Sequence, residues 1–143
     1  MNKADIEVYK EIQRNAEMTM KAIDTVQDKV YDDDLALQLS KQNMKYTELR
    51  NKSIDKLLTG KADPYHGNAI QDVKLVSGIH MSTMLNTSTS HLAEIMIQEN
   101  NRGLTHMWKS LNQHGNSSKE AMEIANELVN FQESNIRSLK RYL

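Results

Sequence analysis

Cysteine is absent from this sequence, and proline, phenylalanine and tryptophan occur only once each. Without cysteine the chain can form neither a disulfide framework nor a thiolate metal site, and this absence is typical of a reducing compartment. A glycine-rich phosphate loop is also missing, and no stretch alternates polar and apolar residues for long enough to predict a strand. Helix-forming residues dominate, with nine methionines among the apolar ones. The composition therefore predicts an all-α protein.

Neither sign of charge dominates, because 18 Lys and Arg residues face 19 Asp and Glu residues for a formal net charge of -1. The sequence therefore predicts neither a nucleic-acid partner nor an anionic membrane. No apolar run approaches the roughly 18 residues that can span a bilayer. The first residues, Met1–Asp5, lead into charged helical sequence rather than into a signal peptide. We expect one domain, which a length of 143 residues suits, in the cytoplasm.

Apolar residues recur at steps of three and four, which is the spacing of an amphipathic helix. Five residues that favour helix caps, Asn86–Ser90, predict a break in the long helical segment that follows the only proline. A kink at Gly78 is the alternative. Ser117 and Glu120 have the spacing of a capping box at the start of the last helix. The predicted helices are residues 4–30, 34–59, 90–113 and 118–142, with a crossover at 60–89 that contains a connecting helix over 69–85.

Two segments resemble each other, Tyr46–Leu58 and Phe131–Leu143, which lie 85 positions apart. The similarity indicates two related hairpins. Short turns make the helices of each hairpin antiparallel, whereas the crossover of about 30 residues is long enough to leave the second and third long helices parallel. The predicted fold is therefore an all-α four-helix bundle of two antiparallel hairpins joined by a long crossover.

With these paired segments and the stretch His91–Glu99, the chain resembles the ferritin-like superfamily, in particular short bundles related to rubrerythrins and spore-coat proteins. Active members of that superfamily bind two irons with one Glu on each of two helices and a Glu-x-x-His pair on each of the other two. The resemblance thus implies a site in the bundle core, with iron as the alternative cofactor. It also implies that the protein occurs in a spore-forming cell.

The ligands that this resemblance implies are only partly present. Glu17 and Glu99 could fill the two single-Glu positions, and an iron-dependent carboxylate protein that uses these two residues is our alternative hypothesis. Both histidine ligands are missing, and Arg50 places a permanent positive charge where the metal would lie. The motif positions form a polar layer that we expect in the bundle core: Glu17, Thr47, Arg50, Glu99, Gln132 and Asn135.

Arg50 is predicted to face inward, because Tyr46, Arg50, Ile54 and Leu57 follow one helical face and the repeat aligns Arg50 with Asn135. Our interpretation of the layer is that Arg50 pairs with one or both glutamates while the amides satisfy the remaining groups. A polar ligand pocket and a metal site are the other two interpretations.

The five histidines form neither His-x-x-x-His nor Glu-x-x-His pairs, and His91-x-x-Glu94 is interpreted as a surface pair near a helix start. We therefore expect a non-enzymatic protein without a cofactor that acts in protein interaction or structural assembly. The methionine-rich helices and Trp108 could leave apolar surface that a lone bundle does not cover. A homodimer, with or without a further protein partner, is the expected state.

Overall fold

The computed structural model describes all residues, 1–143, and confirms the all-α prediction, because it contains only helices, turns and connecting loops. Five α-helices are followed by one turn of 3-10 helix. Their bounds are α1 Lys3–Gln27, α2 Asp33–Thr59, α3 Ala69–Thr83, α4 Thr89–Gln113 and α5 Lys119–Leu139, with the 3-10 turn at Lys140–Tyr142.

Each helix begins at a residue whose side chain accepts a hydrogen bond from a backbone N–H of the first turn. The five N-caps are Asn2, Asp32, Asn68, Ser88 and Ser118. Four of the five follow a loop or tight turn, so these caps decide where the chain re-enters a helix. At the N-terminus Asn2 forms a full capping box with Asp5.

The pairing of α1 with α2 is that of an antiparallel hairpin. Glu17 pairs with Arg50, whereas Asp24, two turns later in α1, accepts a hydrogen bond from Asn43, two turns earlier in α2. The turn between them is short, so the second helix packs antiparallel to the first.

α4 also runs against α1. The Asn15 side chain donates to the Gly103 carbonyl in the middle of α4, and the Asn2 side chain donates to the Asn116 carbonyl beyond its end. Because α2 and α4 both oppose α1, they run in the same direction. The crossover between them therefore returns the chain along the length of the bundle.

α5 completes the second hairpin and runs antiparallel to α2. The two ends of this pair are tied by Lys56 with Glu120 and by Arg141 with Asp34. The hydrophobic core lies between the four long helices and contains fully buried side chains from each of them, for example Ile12, Leu49, Met96 and Leu128.

The crossover is held against the outside of α1. The Gln13 amide pairs with the backbone of Tyr65, accepting from its N–H at 2.8 Å and donating to its carbonyl at 3.0 Å. α3 then packs mainly on α1 with Leu75, Ile79 and Thr83 as its buried residues. None of the helices combines the length and the apolar character that crossing a membrane requires.

Some predicted boundaries differ from the structure. The first helix ends at Gln27, not at residue 30, and the last regular turn of α5 gives way to the 3-10 turn. The long helical segment breaks after Thr83 and resumes at Thr89, while the helix continues through Gly78. The N-cap of α5 is Ser118, one residue later than predicted, because the Ser117 hydroxyl instead donates to the His114 carbonyl.

Candidate functional site

The face of α2 that points into the bundle differs from the predicted one. Its buried residues around the middle are Tyr46, Leu49, Ser53 and Leu57, and Arg50 lies one position to the side of this stripe. Its side chain is 37% exposed. The prediction that Arg50 faces inward is therefore wrong, because a step of one residue turns a helix by about 100°.

The internal repeat misled the prediction in the same way. The inward positions of α5 are Gln132, Asn135 and Leu139, which correspond to those of α2 at a spacing of 86 rather than 85. The repeat therefore aligned Asn135 with Arg50, although its structural counterpart is Leu49.

At the centre of the core, an amide pair joins α1 to α5. Asn15 donates to Gln132 Oε1 at 3.2 Å, and Gln132 donates to Asn15 Oδ1 at 2.8 Å. Asn15 also donates to the Gly103 carbonyl at 2.9 Å. A Cβ at position 103 would lie within 2.6 Å of Asn15 Oδ1, so glycine is what lets this pair rest against the backbone of α4.

A second group continues this layer. The Tyr46 hydroxyl donates to Asn100 Oδ1, and Asn135 donates to both of these oxygens at 3.3 Å. Asn100 donates in turn to the Met96 carbonyl at 2.8 Å. Burial raises the pKa of the Tyr46 hydroxyl, which keeps the hydroxyl protonated and able to donate.

The central layer is therefore neutral, and of the six predicted residues only Gln132 and Asn135 belong to it. Asn15, Asn100 and Gly103 were not predicted. The spacing of the two asparagines could have predicted that they are buried. Asn15 lies three residues after Ile12 and Asn100 four after Met96, so both continue the apolar stripes of their helices.

The charged residues of the predicted layer form two separate pairs beside it, with Glu17 and Arg50 partly exposed and Glu99 buried. Arg50 Nε donates to Glu17 Oε1 at 2.9 Å, on the side of the crossover loop. Glu99 pairs with Arg102 of its own helix, and burial raises the pKa of its carboxyl although Arg102 opposes the shift. Thr47 is half-buried and donates to the Asn43 carbonyl of its own helix.

The residues do not fit the iron site that the resemblance implies. Glu17 and Glu99 are engaged with different arginines, and no group of three or more His, Asp or Glu side chains lies close enough to share a metal ion. The centre of the bundle offers neutral amides and a phenol, which are poor substitutes for the carboxylate and imidazole ligands of a di-iron site.

Two of the open clefts along α1 each have a volume of about 400 Å³. One, beside the crossover, contains Glu17, Arg50 and Asp72; the other, between α1 and α4, contains Glu11 and His106. Burial raises the pKa of Glu11 and lowers that of His106, with Arg14 opposing the first shift and adding to the second. Charges of both signs line each cleft, so neither selects a ligand of one sign.

Ser82, His91 and Glu94 form a constellation that joins the end of α3 to the start of α4. His91 Nε2 lies 2.8 Å from the Ser82 hydroxyl, and Nδ1 lies 3.1 Å from Glu94 Oε1. This order is that of a nucleophile, a base and a carboxylate. However, Nε2 also lies 3.0 Å from the Ser82 carbonyl, which can only accept a hydrogen bond. Nε2 therefore contacts both the hydroxyl and the carbonyl of Ser82 and joins the end of α3 to the start of α4, so the three residues form a clamp between the two helices.

α3 leaves an apolar face without a partner. Large side chains stand out on the side opposite Leu75 and Ile79, at steps of three and four residues. The outward face consists of Ile70, Val73, Ser77, Met81 and Met84, and its four large side chains are 64–75% exposed. Leu85, just beyond the helix, is 97% exposed. Several large apolar side chains on one exposed face mark an interaction surface more than single ones do.

Comparison with family models, with curated proteins and with solved structures found no match to this chain.

Proposed function

We propose that the chain is a ferritin-like bundle without a di-iron site, and that its function is non-catalytic protein interaction or structural assembly. The ferritin-like assignment is supported by the two antiparallel hairpins, by the shared direction of α2 and α4, and by the crossover that returns the chain between them. A cytoplasmic location stays a prediction.

The observation that carries the interaction function is the outward face of α3. Ile70, Val73, Met81 and Met84 keep most of their apolar surface in water, although burying one such side chain is worth roughly 1.5–3 kcal/mol. The buried side of α3 already holds the helix on α1, so the fold itself does not need the outward residues. Their apolar character is best explained by a protein that covers them.

The core supports a non-catalytic role. A neutral and fully hydrogen-bonded centre replaces the charged ligands that an oxidative bundle needs, and such a network fixes the register of the helices. The Ser82–His91–Glu94 clamp also fits this role, since it ties the crossover to the second hairpin.

A photoreactive residue at Val73, introduced in cells that express the protein, tests the interaction function. The expected result is a covalent adduct with a protein from position 73 and none from Ser134, an exposed control position on α5. Absence of any adduct from position 73 would refute the interaction function. The mass of the adduct separates a second copy of the chain from a different protein.

A further inference from the structure

Resting on the proposed interaction function, we infer that the occupant of the α3 face is a second copy of this chain, packed antiparallel about a two-fold axis at Ser77. The face is self-complementary in this register. Ile70 of one copy meets Met84 of the other, Val73 meets Met81, and Ser77 meets Ser77. Every large side chain on the face thereby gains an apolar partner, as an isologous interface requires.

The middle of the face lets two helices approach closely. Ser77 is the smallest side chain on the outward face, and it lies at the proposed axis. Larger apolar side chains flank this centre on both sides and can pack across it in each copy.

The charges on the face are also compatible with a second copy. Lys74 borders the face, and the antiparallel register separates the two Lys74 residues by about 9 Å along the helix axis. The same register sets the N-terminus of each α3 beside the C-terminus of the other, which is the favourable arrangement of two helix dipoles. A parallel pair would instead set the two lysines side by side.

The apolar area on this face is large for a single helix. With Leu85, its large side chains expose on the order of 700 Å² per copy, and burying most of it would reach the lower end of the roughly 600–1,000 Å² that each partner contributes to a standard interface. Leu85, just beyond the end of α3, lies close to the level of Ala69 of the other copy in this register.

Sedimentation velocity on purified protein tests whether a second copy binds the α3 face, with Met81→Lys as the variant that should weaken binding. Met44→Lys is its matched control, since Met44 on α2 is 73% exposed and Met81 is 74% exposed. We expect the parent and the control to sediment at twice the chain mass of 16.4 kDa at micromolar concentration, and Met81→Lys to weaken the dimer at least tenfold. A parent that stays monomeric at high micromolar concentration would overturn the inference, as would equal effects of the two substitutions.

Single cysteines test the register, because the chain has none of its own. Ser77→Cys should form a disulfide dimer under mild oxidation, and Val73→Cys mixed with Met81→Cys should form a mixed one. Val73→Cys alone should not, since in this register the two positions lie about 12 Å apart along the axis, beyond disulfide reach. Self-linking of Val73→Cys in preference to Ser77→Cys would overturn the antiparallel register.

The two proposals fail differently. A position-73 adduct with another protein, from a chain that sediments as a monomer, would overturn the second copy and keep the interaction function. A dimer that persists unchanged in Met81→Lys, together with no adduct from position 73, would overturn both.

Discussion

Two polar regions of this bundle lie within one helical turn of each other and satisfy their polar side chains in different ways. At the centre, Asn15 and Gln132 exchange hydrogen bonds in full burial. At the rim, Glu17 and Arg50 form an ion pair with both side chains partly in water. The comparison shows how a neutral pair and a charged pair differ in their exposure to water.

Desolvation explains the difference. Burying an ion pair costs several kcal/mol of hydration free energy for each ion. Burying an amide pair costs much less, and the hydrogen bonds within the pair offset this cost. At the rim, water solvates the charges and weakens their attraction to about 0–1 kcal/mol. The stability of the molecule should therefore depend on the neutral pair much more than on the charged one.

The largest expected effect follows removal of half of the buried pair. Gln132→Ala leaves Asn15 without its partner and leaves a cavity, so we expect a loss of about 3 kcal/mol in the free energy of unfolding. Urea unfolding measures it. Gln98→Ala, at an exposed position of α4, is the control and should change stability by less than about 0.5 kcal/mol. Equal losses in the two variants would contradict the central role of the pair.

Glycine to alanine substitutions in α3 and α4 should have opposite signs. Gly103→Ala forces a Cβ against Asn15 and Gln132, and we expect a loss of about 1–3 kcal/mol. Gly78→Ala meets no atom and should stabilise the protein by about 0.5–1 kcal/mol, because alanine is the better helix former. Thermal unfolding of both variants gives the answer, and the same sign in both would show that the amide pair does not rest on Gly103.

Arg50→Ala should reduce stability by no more than about 1 kcal/mol, since its ion pair with Glu17 is solvated. Leu49→Ala, one residue earlier and fully buried, should reduce it by about 2–5 kcal/mol. Denaturant midpoints of the two variants compare neighbouring positions on one helix. If Arg50→Ala were the more damaging of the two, the inward face of α2 would have to be the one that the sequence first indicated.

The smallest effect concerns pH. Burial raises the pKa of Glu99 above its ordinary value near 4.5, so the folded state binds this proton more tightly than the unfolded state does. The contribution of this proton to the free energy of unfolding is therefore complete below pH 4.5 and is lost as pH rises through the raised pKa of Glu99. Glu99→Gln should remove this decline. Because glutamine keeps the shape of the side chain and Arg102 is nearly half exposed, stability at neutral pH should change by only about 1 kcal/mol. Unfolding curves between pH 4 and 8 measure it, with Glu123→Gln on the exposed face of α5 as the control; a decline that persists in Glu99→Gln would assign it to another group.

The helices themselves could be predicted with fair accuracy because their signals are local. Cap-forming residues at Asn86–Ser90 correctly indicated the break before α4, and Ser88 is its N-cap. The inward face of α2 could not be settled in this way. Leu49 and Arg50 are neighbours, and both extend an apolar stripe that begins at Tyr46, so periodicity alone leaves two faces open over this stretch.

By itself, the sequence determined the all-α class, the approximate extent of each helix and the absence of Glu-x-x-His pairs, since each of these depends on residue type and on neighbours within a few positions. Only the tertiary structure decided which polar residues meet. Asn15 and Gln132 are 117 positions apart, and their contact depends on how α1 and α5 rotate about their axes within the bundle. Packing likewise decided the orientation of α3, which buries Leu75 and Ile79 and leaves its other apolar face exposed.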